Sequence, residues 1–335
     1  MVKRTVTRWL LVVTSLTAGT AGMFLDVKPE ELALGTPGPV VFPKENPYSK
    51  EKADLGKKLF NEVKMSSSTM TPCSWCHFNG LGYTDGKVVG LGAPRIPLSR
   101  NTPSLYNVGY NENLFWDGRT HNLEEQALFP IKHPMEMAMK LEDLPHKLEM
   151  EHYAEEFEKA YGTKEITLDR VAKALATFER TITENNTPFD RYMKGEKNAM
   201  SKDAVEGLRI FQTKGQCISC HAGPQFTTAM VKGGAAYKNT GVKKSPNMSE
   251  DDGRLAVDKS NPELKGAFRI PTLRGVGKTA PYMHNGSLPT LAAVVEFYDR
   301  GGDEGRLPKL NLTAQEKAQL VDFLQHGITD WNNRY

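Results

Sequence analysis

The sequence predicts a mostly α-helical protein with two similar domains, and three observations support this. Segments with apolar residues at helical spacing recur along the chain behind capping residues. No long stretch shows the apolar and polar alternation of a half-buried strand. The pattern Gly-x-x-Leu/Ile-Phe occurs at residues 56–60 and again at 207–211, which indicates an internal duplication.

The first 22 residues have the layout of an export signal. Lys3, Arg4 and Arg8 precede an apolar stretch over residues 9–16, and small residues lead to a predicted cleavage point near Ala21. This stretch is shorter than the roughly 20 residues that span a bilayer, so we expect a periplasmic protein with no stable membrane span after processing. Residues 23–48 are predicted to form an extended segment, rich in Pro and Gly from residue 27 onward.

The helix that carries the repeated pattern begins at Ser49 in one domain and at Ser201 in the other. Thr167 is predicted to cap a further helix, and Thr313 forms a capping box with Glu316 ahead of the last one. Loops rich in Gly and Pro separate the helices over residues 78–112 and 222–289. We expect the first domain over residues 49–195 and the second over 196–335, with a polar connection near residues 185–200.

Composition and charge exclude some classes of partner. A chain with 39% hydrophobic and 25% charged residues is typical of a globular protein. The formal net charge is +3, and loss of the three basic residues of the export signal would bring it to about zero. Nucleic acid is therefore not an expected partner, because binding to phosphates needs a strongly basic surface.

All four cysteines fall into two copies of the motif Cys-x-x-Cys-His, one in each predicted domain: Cys73, Cys76 and His77, then Cys217, Cys220 and His221. This motif supplies two thiols for thioether bonds to haem and a histidine for its iron. A disulfide, a zinc site and a thioredoxin-like redox pair share the cysteine spacing. Zinc ligands would have to converge, however, and a redox pair is expected once. The repeated motif therefore predicts two covalently bound haem c groups.

Two haems predict two cytochrome c-like domains whose long loops wrap the cofactors. Haem alone does not separate an enzyme from a non-enzymatic di-haem electron carrier. In a carrier both irons would have two strong protein ligands, whereas an enzyme needs one open position.

Several further segments resemble the bacterial di-haem cytochrome c peroxidase and MauG family, in the family's order. These segments are Arg-Asn-Thr-Pro-Ser-Leu at 100–105, Phe-Trp-Asp-Gly-Arg at 115–119, Leu-Glu-Glu-Gln-Ala at 123–127, Pro-Met-Glu-Met at 134–137 and Pro-Tyr-Met-His-Asn-Gly-Ser at 281–287. The resemblance runs from about residue 50 to the end of the chain. It implies that the haem on His77 reacts with hydrogen peroxide and that the haem on His221 stores and passes electrons.

The resemblance also implies roles for residues outside the two cysteine motifs. Trp116 matches a tryptophan that relays electrons between the haems; without the resemblance it would be interpreted as a core tryptophan. Glu136 matches the acid/base that moves a proton between the peroxide oxygens, and otherwise would be a surface carboxylate. Gln126 matches a residue of the same distal pocket, and Pro130 falls where MauG has a distal proline. Asn101 and the carbonyl groups of Thr279 and Pro281 match a calcium site between the domains.

Two departures separate this chain from the family's peroxidases. Their loop before the Arg-Asn-Thr-Pro motif contains a histidine that closes the first haem, whereas residues 90–99 here contain none. Their second haem has a methionine ligand where this chain has Tyr298, as MauG does. Tyr298 also fits a packed core position beside Leu291 and Val295, and Met283 is a rival ligand.

Both departures favour the MauG branch, which includes MbnH-type enzymes. MauG passes charge through a tryptophan two residues before its second motif, but Gly215 stands there in this chain. We therefore expect oxidation of a residue of another partner protein, with tryptophan the expected target. The alternatives are a peroxidase that reduces hydrogen peroxide to water with electrons from a small cytochrome c or copper protein, and a non-enzymatic electron carrier.

Overall fold

The structure is a computed structural model that describes residues 33–231, 233–243 and 250–332. The export signal predicted at residues 1–22 lies outside the described residues, as does the first part of the extended segment. Within the described ranges no helix is long and apolar enough to cross a membrane.

Ten α-helices form most of the regular structure of the described residues: α1 Lys50–Phe60, α2 Cys73–Cys76, α3 Leu123–Lys132, α4 Leu144–Met150, α5 Ala154–Tyr161, α6 Leu168–Thr181, α7 Pro188–Met193, α8 Lys202–Gln212, α9 Leu291–Asp299 and α10 Ala314–Asp322. A π-helical turn, Phe323–Gly327, continues α10. Short 3₁₀ turns lie at Val63–Met65, Asn79–Leu81, Val108–Tyr110, Leu141–Asp143, Cys217–Ser219, Thr228–Met230, Arg254–Ala256, Pro262–Leu264 and Val276–Lys278. Strands β1 Tyr237–Lys238 and β2 Phe268–Arg269 pair antiparallel. The predicted mostly α-helical fold is confirmed.

The predicted helix caps are present. The side chains of Ser49, Thr167 and Ser201 accept hydrogen bonds from backbone amides of the first turn of α1, α6 and α8. Thr313 and Glu316 form the expected capping box of α10. Each cap accepts a hydrogen bond from an amide that has no partner within its helix. The capping residue therefore fixes where each helix begins.

The repeated pattern corresponds to one packing arrangement used twice. Helix α1 packs on α6, and α8 packs on α10. A β-carbon at Gly56 would lie 2.0 Å from the carbonyl oxygen of Ala174, and one at Gly207 would lie 2.0 Å from that of Gln319. Only glycine allows the two helix backbones to approach this closely. The duplication seen in the sequence is therefore present in the helix contacts.

Two buried apolar clusters divide the described chain. The first extends from Leu55 to Ile182 and the second from Phe189 to Ile328. Helix α7 forms within the connection that was expected to be polar, because Thr187 and Asp190 form a capping box and Phe189 is fully buried in the second cluster. The domain boundary at residues 195/196 stays a prediction.

The extended segment before α1 is bonded to both parts of the molecule. The carbonyl oxygen of Gly35 accepts a hydrogen bond from Arg274 at 2.8 Å, and that of Gly38 accepts one from the Tyr110 hydroxyl at 2.6 Å. The Asn46 amide donates to Glu124 on α3 at 2.8 Å. The described part of this segment thus holds the two halves together along one surface.

Candidate functional site

The first Cys-x-x-Cys-His motif forms the single turn α2 and the residue that follows it. The ring Nδ1 of His77 lies 2.9 Å from the carbonyl oxygen of Tyr83. Burial lowers the pKa of His77, so the ring is neutral at neutral pH and Nδ1 carries the proton that Tyr83 accepts. The other ring nitrogen, Nε2, is left with the lone pair that a metal ligand needs.

The second motif repeats this arrangement. Nδ1 of His221 lies 2.9 Å from the carbonyl oxygen of Phe226, and burial lowers the pKa of His221 to about 4. Tyr83 and Phe226 both have positive φ angles, 57° and 52°, which turn their carbonyl groups toward the histidines. Sequence reasoning missed this pair. The sequence feature that marks it is an aromatic residue six positions after His77 and five positions after His221.

Buried side chains fix the loop that holds His221. Arg274 and Asp190 form a fully buried ion pair with Nη1–Oδ2 and Nη2–Oδ1 distances of 2.8 and 3.0 Å. Arg274 Nε also donates to the Pro224 carbonyl at 2.7 Å, and the Thr272 hydroxyl donates to the Gln225 carbonyl at 2.6 Å. The acceptor for His221 is thus held by bonds from a distant part of the chain, which the sequence did not reveal.

All four thiols are free, and burial raises their pKa values, to about 12 for Cys76 and Cys217. Among the described residues, no three His, Cys, Asp or Glu side chains converge as a metal cluster would require. Each motif instead offers two thiols outside any disulfide and one neutral imidazole. This donor set fits a covalently attached haem better than a disulfide or a zinc ion.

The predicted distal residues lie on α3 and on the segment that folds back along it. Gln126 and Pro130 are four residues apart and so share one face of α3. The Pro130 carbonyl accepts a hydrogen bond from the amide of Met137 at 3.1 Å, which brings Glu136 back beside this helix. The structure therefore places Pro130 and Glu136 together, with Gln126 one turn away.

Glu136 is mostly buried and fixed through its backbone. Its carbonyl oxygen accepts a hydrogen bond from the Ala93 amide at 2.5 Å, which anchors the loop over residues 90–99. Burial raises the pKa of the Glu136 carboxyl, while the nearby His133 and Arg119 act in the opposite direction. His133 Nδ1 lies 3.6 Å from Oε1. Burial favours the protonated carboxyl and the two neighbouring side chains favour the carboxylate. A group with this balance suits a reaction step in which a proton is both accepted and returned.

Trp116 is half-buried and bonded to both halves of the chain. Its indole nitrogen donates to the carbonyl oxygen of Asn101 at 2.8 Å. Its own carbonyl oxygen accepts a hydrogen bond from the amide of Arg269, on β2, at 2.7 Å. The indole therefore occupies a fixed position where the first half meets the second.

A charged network that sequence reasoning did not identify includes Asp117, the residue after Trp116. Arg100 Nη1 contacts Asp117 at 2.7 Å, and the same guanidinium binds both carboxylate oxygens of Asp251 at 2.7 and 2.8 Å. Arg119 also contacts Asp117, at 2.9 Å. Bidentate guanidinium–carboxylate pairs have a defined geometry, so they fix the loop over residues 115–119 against the segment at residue 251.

Asn101 lies where the second half meets the first. Its amide nitrogen donates to the carbonyl oxygens of Lys87 and Val88 at 2.8 and 3.3 Å, so the side-chain oxygen is the atom left for a cation. Its backbone amide donates to the carbonyl oxygen of His284 at 2.8 Å. This bond holds the segment that carries Thr279 and Pro281 against the loop of Asn101.

Tyr298 lies beside the second cysteine pair, near the end of α9. Burial raises the pKa of its hydroxyl, and the thiols of Cys220 and Cys217 raise it further. Tyr298 and Cys217 both pack against the second apolar cluster. Met283, the rival ligand, has a φ angle of 73° and lies at the turn closed by the Gly286 amide.

Comparison with known proteins gives concordant results. A family model described as di-haem cytochrome c peroxidase matches residues 50–198, and one described as RoxA-like, cytochrome c-like matches residues 267–301. The methylamine utilization protein MauG of Methylorubrum extorquens is 33% identical over 92% of this chain and 88% of its own length. The cytochrome-c peroxidase IdrP1 of a Pseudomonas species is 35% identical over 86% and 83%. A crystal structure of a MauG-like protein associated with microbial copper homeostasis superposes with a TM-score of 0.81 at 27% identity, covering 88% of this chain and 94% of that one.

Proposed function

Because the chain belongs to the di-haem cytochrome c peroxidase and MauG family, we propose that it uses hydrogen peroxide to oxidise a side chain, with tryptophan the expected target, of a partner protein. The family makes the chain a haem c oxidoreductase. The proposal adds that the oxidised molecule is a partner protein, as for MauG. It also adds a periplasmic location, to which residues 1–22 would direct the chain. The observation that carries the proposal is that Tyr298 packs against the same apolar cluster as Cys217 of the second motif.

We assign the haem attachment to the two motifs: Cys73, Cys76 and His77 for the first haem, and Cys217, Cys220, His221 and Tyr298 for the second. When bound, haem c supplies an iron that reduces peroxide and a second redox centre that gives and takes electrons. The hydrogen bonds to Tyr83 and Phe226 support this assignment, because they fix the tautomer and direction of each histidine ring.

Tyr298 distinguishes the two branches of the family. A phenolate is a hard anionic ligand that stabilises a higher oxidation state of iron than a neutral methionine sulfur does. Burial alone keeps the Tyr298 hydroxyl protonated, so ligation requires a metal that displaces the proton. A second site that stabilises oxidised iron suits an enzyme that must hold oxidising equivalents until a partner protein gives up electrons.

Glu136 is proposed to move the proton during peroxide cleavage. A carboxylate oxygen takes the proton from one peroxide oxygen and returns it to the other, which leaves as water. Gln126 offers an amide that orients the bound peroxide. Pro130 has no N–H group, so its ring keeps this side of the pocket apolar and displaces water.

Trp116 is proposed to carry electrons between the two halves. Its indole is held by Asn101 from the first half, and its backbone is held by Arg269 from the second. A ring fixed in this way needs little rearrangement when it loses and regains an electron. The Arg100–Asp117–Asp251 network supports the same loop.

We also propose a calcium ion bound by the side-chain oxygen of Asn101 and the carbonyl oxygens of Thr279 and Pro281. Neutral oxygen ligands completed by water suit calcium. The Asn101 amide nitrogen donates to the carbonyl oxygens of Lys87 and Val88, which leaves the side-chain oxygen available for a cation. This arrangement supports the proposal.

The second candidate function is reduction of hydrogen peroxide to water with electrons from a small cytochrome c or copper protein. The 35% identity to a cytochrome-c peroxidase favours it. The two candidates differ in the fate of the oxidising equivalents: one leaves a modified side chain on a partner, and the other regenerates both proteins unchanged.

The decisive experiment adds hydrogen peroxide to the haem-loaded protein with and without candidate periplasmic partners, followed by mass spectrometry of the partner. Oxygen added to an aromatic side chain supports the proposal. Rapid turnover with reduced cytochrome c and no modified partner would instead establish the peroxidase function. Glu136→Gln should slow peroxide cleavage by about 10²-fold in either case, because the proton acceptor is lost. Full activity of this variant would remove Glu136 from the reaction.

A further inference from the structure

Trp75 is an exposed tryptophan inside the first haem-attachment motif. It stands between Cys73 and Cys76, and it is 43% exposed. Its indole nitrogen donates to the carbonyl oxygen of Leu91 at 3.3 Å, and the ammonium group of Lys87 lies 5.2 Å from the ring centroid. The ring is thus fixed by the loop over residues 87–91 while it still contacts solvent.

The loops around Trp75 expose a group of large apolar side chains. Six of the thirteen exposed large hydrophobic residues of the described chain lie in one segment of 27 residues, and we call them the Trp75 surface: Met70, Trp75, Phe78, Leu81, Val88 and Ile96. Soluble proteins seldom concentrate apolar side chains on the surface unless a partner covers them. Neither Trp75 nor its exposed neighbours were needed for the function proposed above.

The exposed charged side chains of this segment have one sign, and the Glu136 carboxyl that lies near Cys76 is mostly buried. Between residues 66 and 99 the Asp, Glu, Lys and Arg side chains are Asp85, Lys87 and Arg95. Asp85 is buried, whereas Lys87 and Arg95 reach solvent. An apolar surface with a cationic margin is complementary to an apolar patch rimmed by carboxylates. The expected occupant is therefore an acidic protein surface that presents an aromatic side chain.

We propose that the Trp75 surface is where the protein substrate docks and that Trp75 is the residue through which its electrons enter. This inference rests on the proposed function and adds the route and the chemistry of the partner. Trp75 directly precedes Cys76 in the chain, so its ring is joined to the first haem-attachment site by a short covalent path. An electron that enters at this ring has no long gap to cross.

The electrons and protons of the step balance. Reduction of one hydrogen peroxide to two waters takes up two electrons and two protons. Each of the two electrons leaves the Trp75 ring for the first haem site and is replaced by one from the same aromatic side chain of the substrate. That side chain takes up one water molecule and releases two protons, so the net products are the hydroxylated side chain and one water. The Trp75 ring keeps its N–H proton, because the Leu91 carbonyl accepts a hydrogen bond and cannot take the proton away.

The electron-entry step is tested with Trp75→Phe and a matched control, Trp331→Phe, in the haem-loaded protein. Trp331 is 49% exposed, and its indole also donates to a backbone carbonyl, that of Gln325. The probe substrate is a synthetic acidic helical peptide with one tryptophan. We expect Trp75→Phe to lower peroxide-driven oxidation of the peptide by about tenfold or more, equivalent to about 1.4 kcal/mol in the barrier, and Trp331→Phe to leave it unchanged. Equal rates in the wild type and both variants would refute the role of Trp75. If the wild type does not oxidise the peptide or any protein, the proposed function itself fails.

Two further measurements do not depend on turnover of a substrate. With peroxide and no peptide, peptide mapping should find oxygen added to Trp75 and not to Trp331; equal or no oxidation of Trp75 would contradict the route. Fluorescence anisotropy without peroxide should show that the acidic peptide binds and that a lysine-rich version does not. Ile96→Asp, a change at an exposed loop position, should weaken binding of the acidic peptide by about tenfold through charge repulsion and lost apolar contact. Unchanged binding would exclude the Trp75 surface as the docking site.

Discussion

The indole nitrogen of Trp116 donates a hydrogen bond to the backbone carbonyl oxygen of Asn101 at 2.8 Å. The Asn101 amide in turn donates to the carbonyl oxygen of His284 at 2.8 Å. Trp116 is thereby linked through one residue to the segment at 279–284 from the second half. The ring that is proposed to carry electrons is also part of the contact between the halves.

Trp116→Phe should therefore affect both stability and electron exchange. The variant keeps an aromatic ring but leaves the Asn101 carbonyl without its donor, which should lower the free energy of unfolding by about 1 kcal/mol in a urea titration. Electron exchange between the two haems should become slower, as measured by rapid-mixing spectroscopy after peroxide addition. Trp331→Phe is the control, and its exposed bond should change stability by less than about 0.5 kcal/mol. Unchanged electron exchange in Trp116→Phe would contradict the relay role.

Tyr298→Phe should change the absorption spectrum of the second haem and leave that of the first. The change removes the hydroxyl oxygen and preserves the ring that packs near the end of α9. Met283→Leu keeps an apolar side chain of similar volume and serves as the matched control. A spectral change in Met283→Leu with none in Tyr298→Phe would identify the methionine as the ligand and weaken the assignment to the MauG-like branch.

Glu179 makes stability depend on pH. Burial raises the pKa of this carboxyl to about 8 in the folded protein, from an ordinary value of 4.5. Between these values the unfolded chain loses the proton that the folded chain keeps. The free energy of unfolding should therefore fall as pH rises through this window, by at most about 1.4 kcal/mol per pH unit, and level off above it.

The Glu179 prediction is checked by urea titrations at several pH values between about 4.5 and about 8. Glu179→Gln should flatten the dependence, because an amide does not titrate. Glu155→Gln, at an exposed position that contacts Lys164, should keep the wild-type slope. Identical slopes in all three proteins would show that Glu179 ionises freely in the folded state.

The two glycines of the helix contacts should be equally intolerant of a side chain. Gly56→Ala and Gly207→Ala each place a methyl group 2.0 Å from a carbonyl oxygen of the facing helix, which forces the helices apart at a cost of about 1–3 kcal/mol. Gly38→Ala meets no atom within 4 Å and should be nearly neutral. Thermal unfolding of the three variants would measure this. A neutral Gly207→Ala would show that the second helix pair adjusts where the first does not.

Local features of the fold could be predicted from the sequence because their causes are local. Ser49, Ser201 and Thr313 cap helices through amides three residues away, and the cysteine motifs carry their chemistry within five positions. The Arg274–Asp190 pair could not be predicted, since its partners are 84 residues apart and either charge alone would be expected in solvent. Helix α7 was missed because Phe189, which anchors it, lies among polar residues.

In the candidate site, too, some residues could be predicted from the sequence and others could not. Histidines 77 and 221 follow from their motifs, whereas the carbonyl groups that orient them depend on positive φ angles at Tyr83 and Phe226 that no residue preference indicates. The charged network of Arg100 joins residues 151 positions apart and needed the structure to be seen. The positions of Gln126, Pro130 and Glu136 came from the resemblance to the family and not from their own pattern.

The matching contacts at Gly56 and Gly207 give the molecule a built-in reference. Both helix pairs approach equally closely at their glycines, so each half contains the same pair of packed helices. Differences between the two haem sites then originate outside these pairs, for example in Gln126 and Pro130 on α3 and in Tyr298 on α9. The two halves can therefore have different roles while their paired helices stay the same. They can also serve as internal references for each other when a segment outside the paired helices is changed in only one of them.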